Sequence, residues 1–259
     1  MIFDAHTHLT RFADDAGPCP EQAARLIARM DRCGVSRALL LGPVTALGPT
    51  PDREQVRRAN DHTREAVARW PERLSGLCYL NPALDPRFTR DEFDRCVADG
   101  PLVGVKLWIA ARAADPRLDP IAARAAELDV PILQHAWLKT TGQLPGESTP
   151  ADVAALARRH PHTRIIMAHV TGCGVRGVNE VADLPNVCVD TSGGQPVRGV
   201  IDFALHTLGP ERVLFGSDWP LRDLPTQLGK LSGLGLEDAG RAAVLAGNLI
   251  RLLGGRAPC

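Results

Sequence analysis

Apolar residues along the chain fall into short runs, separated by longer segments in which they recur every three or four positions. The runs at 2–9, 37–41, 75–80, 103–108, 131–135, 164–169, 186–190 and 212–217 predict strands. The spacing between them predicts helices over 21–33, 51–70, 89–98, 121–128, 150–159 and 197–208, with another inside 175–182 and helical segments closing the chain over 236–253. Gly34 ends the first helix and Pro71 stops the second.

Strand and helix alternate about every thirty residues, the rhythm of a (β/α)8 TIM barrel, and the 259 residues suit such a barrel as one domain over 1–259. Strands apolar on both faces fit that arrangement, with helices on one side and the barrel interior on the other. A doubly wound open sheet also alternates this way, but it needs a glycine-rich phosphate loop after the first strand. Thr7-His8-Leu9-Thr10-Arg11 stands there instead.

Composition narrows the function classes. Hydrophobic residues make up 44% of the chain and charged residues 23%, ordinary globular values. The 30 basic side chains equal the 30 acidic ones, so no global field attracts nucleic acid or an anionic membrane. No apolar run reaches the roughly 18 residues of a membrane span, and no signal peptide is evident. The seven cysteines, among them Cys19 and Cys259, lack any C-x-x-C spacing. They read as reduced thiols of a cytoplasmic protein, which excludes a zinc ribbon. A homo-oligomer is compatible with all of this.

Chemistry-bearing residues collect at the strand exits, which in a parallel barrel form one face. His6 and His8, two apart on the first strand, point the same way and can reach one metal ion. Lys106 lies near the end of the fourth strand, His135 ends the fifth, His169 ends the sixth and Asp218 follows the eighth. Asp4 shares the parity of His6 and His8, and is expected one layer deeper, orienting a ligand or satisfying a buried polar group. Asp190 is placed for the pocket or for capping the next turn. Trp108, Trp137 and Trp219 follow exit residues and suggest flat walls suited to a ring or planar acid, or else rim packing. Lys139, Arg176 and Arg198 are loop cations able to meet an anion, or simply solvated. His160 and His162 repeat the paired spacing but precede a strand, on the opposite face, while His62 and His206 lie in helices.

Asp4-Ala-His-Thr-His8, Gln134-His135, Met167-Ala-His169, Phe215-Gly-Ser-Asp-Trp-Pro220 and the closing Gly247-Asn-Leu-Ile-Arg-Leu-Leu253 resemble the amidohydrolase superfamily. The branch is its small TIM-barrel metal-dependent hydrolases and decarboxylases, amidohydrolase family 2. The resemblance implies that His6, His8, His135 and Asp218 hold a divalent ion with His169 beside it as a catalytic group. Such ligands suit Zn²⁺, with Mn²⁺ or Fe²⁺ as alternatives. One ion is favoured over two; a two-metal site would add a carbamylated Lys106 and His169, whereas a free Lys106 would bind a substrate anion or only reach the rim. The expected activity is a metal-hydroxide hydrolase acting on a small amide, cyclic amide, ester or lactone, with Asp218 as proton carrier. The alternatives are a non-oxidative decarboxylase of an aromatic or unsaturated acid, and a metal-free lactonase or isomerase. A purely binding barrel is disfavoured by the complete ligand set.

Overall fold

The computed structural model describes residues 1–9, 19–194 and 197–257. The expected loop beginning at Thr10 and Arg11, and Cys259, lie outside the described residues. The strands are β1 (Phe3–Thr7), β2 (Arg37–Leu40), β3 in two pieces (Leu74–Gly76 and Cys78–Tyr79), β4 (Val105–Leu107), β5 (Ile132–Gln134), β6 (Ile165–Met167), β7 (Val187–Asp190) and β8 (Val213–Leu214). Each pairs in parallel with the next. Across the break in β3, the Leu77 amide donates to Leu40 O at 2.9 Å. The ring closes where Ala5 N–H donates to Phe215 O at 2.8 Å and Thr7 bridges Trp219 in parallel. The fold is a (β/α)8 barrel.

Alternation along the strands builds two apolar layers. Leu39, Leu41, Leu133, Ile166, Cys188 and Leu214 fill the interior, where Leu249 and Leu252 of the closing helix join them. Ala38, Leu40, Val105, Ile132, Ile165 and Val187 face the helices. Those helices begin where the sequence supplies caps: Asp52 and Gln55 form a capping box at Arg53–Arg69, and Thr149 and Asp152 another at Pro150–Arg159. The helix expected inside 175–182 is longer, Val170–Glu180, with a kink at Gly174, and the one expected over 197–208 begins at Val200.

One irregularity corrects the parity argument for β1. Asp4 is in register with Ala38 but Thr7 with Leu40, so three steps on β1 match two on β2. Asp4 therefore aligns with the helix-facing layer, while Phe3 and Ala5 join the interior and, beyond the bulge, His6 and His8 line the open end. Asp4 orients no imidazole: its Oδ1 accepts the amides of His6 and Ser217, at 3.0 and 2.9 Å.

Candidate functional site

The bulge turns His6 and His8 together, with their Nε2 atoms 3.2 Å apart. Behind His6, Nδ1–H donates to Asp190 Oδ2 at 2.8 Å. Asp190 is wholly buried at the end of β7, and its Oδ1 also accepts the amides of His169 and Ser192, each at 3.0 Å. Burial opposes ionisation of Asp190, but the His6 imidazole and these hydrogen bonds outweigh it and hold the carboxyl far below its usual range. Burial, reinforced by the Lys106 charge, pushes the His6 imidazole down to about 3. His6 is thus neutral, with a proton on Nδ1 and its lone pair on Nε2.

Asp218 and His169 hold their backbones in the left-handed region, at φ 62° and 66°. Such conformations cost roughly 1–3 kcal/mol for a non-glycine residue and cluster where function over-determines geometry. Asp218 Oδ1 lies 3.4 Å from His8 Nε2 and 3.6 Å from His6 Nε2, and its Oδ2 is 3.7 Å from His169 Nε2. Burial raises the Asp218 carboxyl, yet the imidazoles of His169 and His8 beside it prevail and keep it well below its usual range. His169 Nδ1 donates to Ala136 O at 3.2 Å, which leaves the lone pair on Nε2; among the described residues that buried atom finds no hydrogen-bond partner.

Ring nitrogens with inward lone pairs, gathered around one carboxylate, fit a divalent cation. Donor atoms of His6, His169 and Asp218 all lie within 4.8 Å of one another, and His8 adjoins them. Imidazole and carboxylate donors are the set that Zn²⁺, Mn²⁺ or Fe²⁺ takes. His135 is not in that cluster: its Nε2 meets Glu147 Oε1 at 3.0 Å. His169, expected beside the ion, is inside it.

The donors open into a cavity of about 440 Å³, within the range of small-molecule sites. Lys106 is 1% exposed yet lines this space, its amine pushed down to about 8 by burial against the opposing charges of Asp190 and Asp218. Trp108 and Trp137 form walls, and Gly172 lets the Trp137 ring approach so closely that an added β-carbon would sit 2.7 Å from it. Sequence reasoning missed Thr45, Glu147, Leu221 and Arg222, which also line the cavity. Thr45 comes from the short 3-10 turn Val44–Ala46 and the other three from irregular loops, where no periodicity marks which side chains turn inward.

Other expected residues stand elsewhere. Asp190 is absent from the cavity lining and sits behind His6, which belongs to it. Trp219 packs into the helix-facing core under the guanidinium of Arg29. Lys139 reaches the cavity but is bound to Glu147 at 2.8 Å. Arg176 is exposed, and Arg198 borders a separate hollow. His160 pairs with Asp119 at 2.9 Å, and His162 and His206 are exposed.

The amidohydrolase family model matches residues 3–255, and the chain belongs to that family of enzymes. Its relatives include gamma-resorcylate decarboxylase from Rhodococcus jostii (strain RHA1), 27% identical over 253 residues spanning 75% of this chain and 76% of the relative. Among solved structures, 2,6-dihydroxybenzoate decarboxylase from Rhizobium superposes with a TM-score of 0.76 at 21% identity, covering 97% of this chain and 98% of that one. A dihydroxybenzoic acid decarboxylase from Polaromonas sp. JS666, solved with bound manganese and 2-nitroresorcinol, gives 0.75 at 20% identity, covering 97% and 96%. These relatives overturn the expected hydrolase: they are named for decarboxylation, the reaction held as the alternative. A set of imidazole and carboxylate ligands does not by itself distinguish hydrolysis from decarboxylation. Among the described residues no helix is long and apolar enough to cross a membrane.

Proposed function

We propose that this chain is a non-oxidative decarboxylase of a small aromatic carboxylic acid, with hydroxylated benzoates as the class to test first. One observation carries the reading: the buried donor cluster of His6, His169 and Asp218 opens on a cavity that also presents a buried cation and two indole walls. A flat anion fits that combination. Relatives named for decarboxylation of dihydroxybenzoates support the same choice.

His6, His169 and Asp218, with His8 adjoining, would hold one divalent ion, Mn²⁺ or Zn²⁺. When bound, the ion supplies a Lewis acid for an oxygen of the substrate. Lys106 meets the carboxylate from the floor, and Trp108 and Trp137 hold the ring and exclude water. Asp218, next to His169 Nε2, carries the reacting proton on Oδ2. The proton passes from Oδ2 to the ring carbon bearing the carboxylate. The carbon–carbon bond then breaks, CO₂ leaves, and the bonding pair restores the aromatic ring. A solvent proton returns to Asp218.

The test is turnover of 2,6-dihydroxybenzoate by the Mn²⁺-loaded chain in D₂O. The expected products are CO₂ and resorcinol with one deuterium at the vacated carbon. Asp218→Asn is expected to lose roughly 10²–10⁴-fold in rate, the usual contribution of a positioned proton donor. No CO₂ from any mono- or dihydroxybenzoate, with metal shown to be bound, would reject the assignment.

A further inference from the structure

Glu147 sits in the loop between β5 and the helix Pro150–Arg159, 2% exposed, and three donors converge on its carboxylate. His135 Nε2 lies 3.0 Å from Oε1, Lys139 Nζ 2.9 and 2.8 Å from the two oxygens, and Leu144 N–H 3.2 Å from Oε2. The loop is tied to deliver it there. Trp137 N–H donates to Ser148 O at 2.9 Å, Gln134 Nε2 to Ser148 Oγ at 3.1 Å, and Lys139 N–H to Gln143 Oε1 at 3.0 Å. Gly146 seats the loop against the segment after β4, so closely that a β-carbon there would fall 1.9 Å from Ile109 O.

We infer that Glu147 is a positioning residue for His135: it accepts the Nε2–H and so fixes the neutral ring with its lone pair on Nδ1, while Lys139 clamps the carboxylate from outside. A neutral imidazole donates from one nitrogen and accepts at the other, so a carboxylate on Nε2 decides which is which. Asp190 does the same to His6 from the opposite nitrogen, through Nδ1 at 2.8 Å. The two imidazoles are thereby set in opposite tautomers by two buried carboxylates, one ending β7 and one in the loop after β5. His135 lines the cavity described above, so Glu147 decides which nitrogen of that wall is bare.

The experiment uses the full-length, metal-free chain with ¹⁵N-labelled histidine, the His135 signals being identified by their loss in His135→Gln. Ring-nitrogen shifts are expected to show a protonated Nε2 and a bare Nδ1 in the wild-type chain. Glu147→Ala is expected to mix the tautomers. Glu147→Gln, whose amide oxygen still accepts from Nε2, is expected to recover most of the tautomer preference. A bare Nε2 in the wild-type chain overturns the inference with no variant required, and so does Glu147→Ala with unchanged tautomer. Because no substrate enters these measurements, a failed decarboxylation assay and a failed tautomer lock are separate results.

Discussion

Which nitrogen a histidine presents matters more here than how many histidines converge. Asp190 shows why: it lines no part of the cavity, yet it fixes His6 through Nδ1 and ties down the His169 amide in the same buried network. Asp190→Asn replaces one accepting oxygen by an NH₂ group where donors already point inward. The expected outcome is a loss of about 10–100-fold in Mn²⁺ affinity, measured by chelator competition on the full chain. A residue that held substrate directly would instead raise KM with metal affinity unchanged, and that result would return Asp190 to the pocket.

At the scale of elements, the site depends on how tightly two strand exits are packed. Gly193, at φ +92° after β7, faces His169; an added β-carbon would lie 2.7 Å from the His169 Cβ. Gly193→Ala must therefore strain its own backbone and displace a donor that is already in a left-handed conformation. The expected effect is a destabilisation of about 1–3 kcal/mol in urea unfolding together with a fall in Mn²⁺ affinity. Unchanged affinity would show that His169 is held independently of that loop. Strand exits carrying His6, His8, Lys106, His135, His169 and Asp218 were legible because apolar runs end there, and all six reach the cavity. The β1 bulge was invisible, because a period of two cannot report a skipped register, and so Asp4 was misplaced. Glu147 and Arg222 were invisible for a different reason: their inward turn is set by loop contacts distant in sequence, such as Gly146 against Ile109.

For the whole molecule, the buried titratable groups set how folding stability depends on pH in the metal-free chain. Burial pushes the imidazoles of His6 and His135 down from 6.5 to about 3, with the Lys106 charge acting in the same direction. Their contribution is fully present above pH 6.5 and is lost as pH falls through about 3, because only the unfolded chain takes up those protons. His8 shifts in the same direction. Asp4 acts oppositely: burial raises it from 3.8 to about 7, against the opposing hydrogen bonds of Ser217 and His6, so its contribution is present below pH 3.8 and disappears as pH rises through about 7. Between pH 4.5 and 6.5 at least two histidine protons oppose one aspartate proton. Stability should then fall on acidification by about 1.4 kcal/mol per pH unit or more. Asp4→Asn isolates the opposing part. The buried Asp4 Oδ2 has no hydrogen-bond partner among the described residues, so the NH₂ of asparagine stands in for the protonated acid at that position and the amide-accepting Oδ1 is kept. The variant is expected to match the parent near pH 4.5 and to steepen the pH dependence by about 1.4 kcal/mol per unit, leaving it more stable than the parent at pH 7. Urea unfolding across that range measures both slopes. Equal slopes in the two proteins would mean that Asp4 is already ionised in the folded barrel, and that the β1 bulge carries a buried charge.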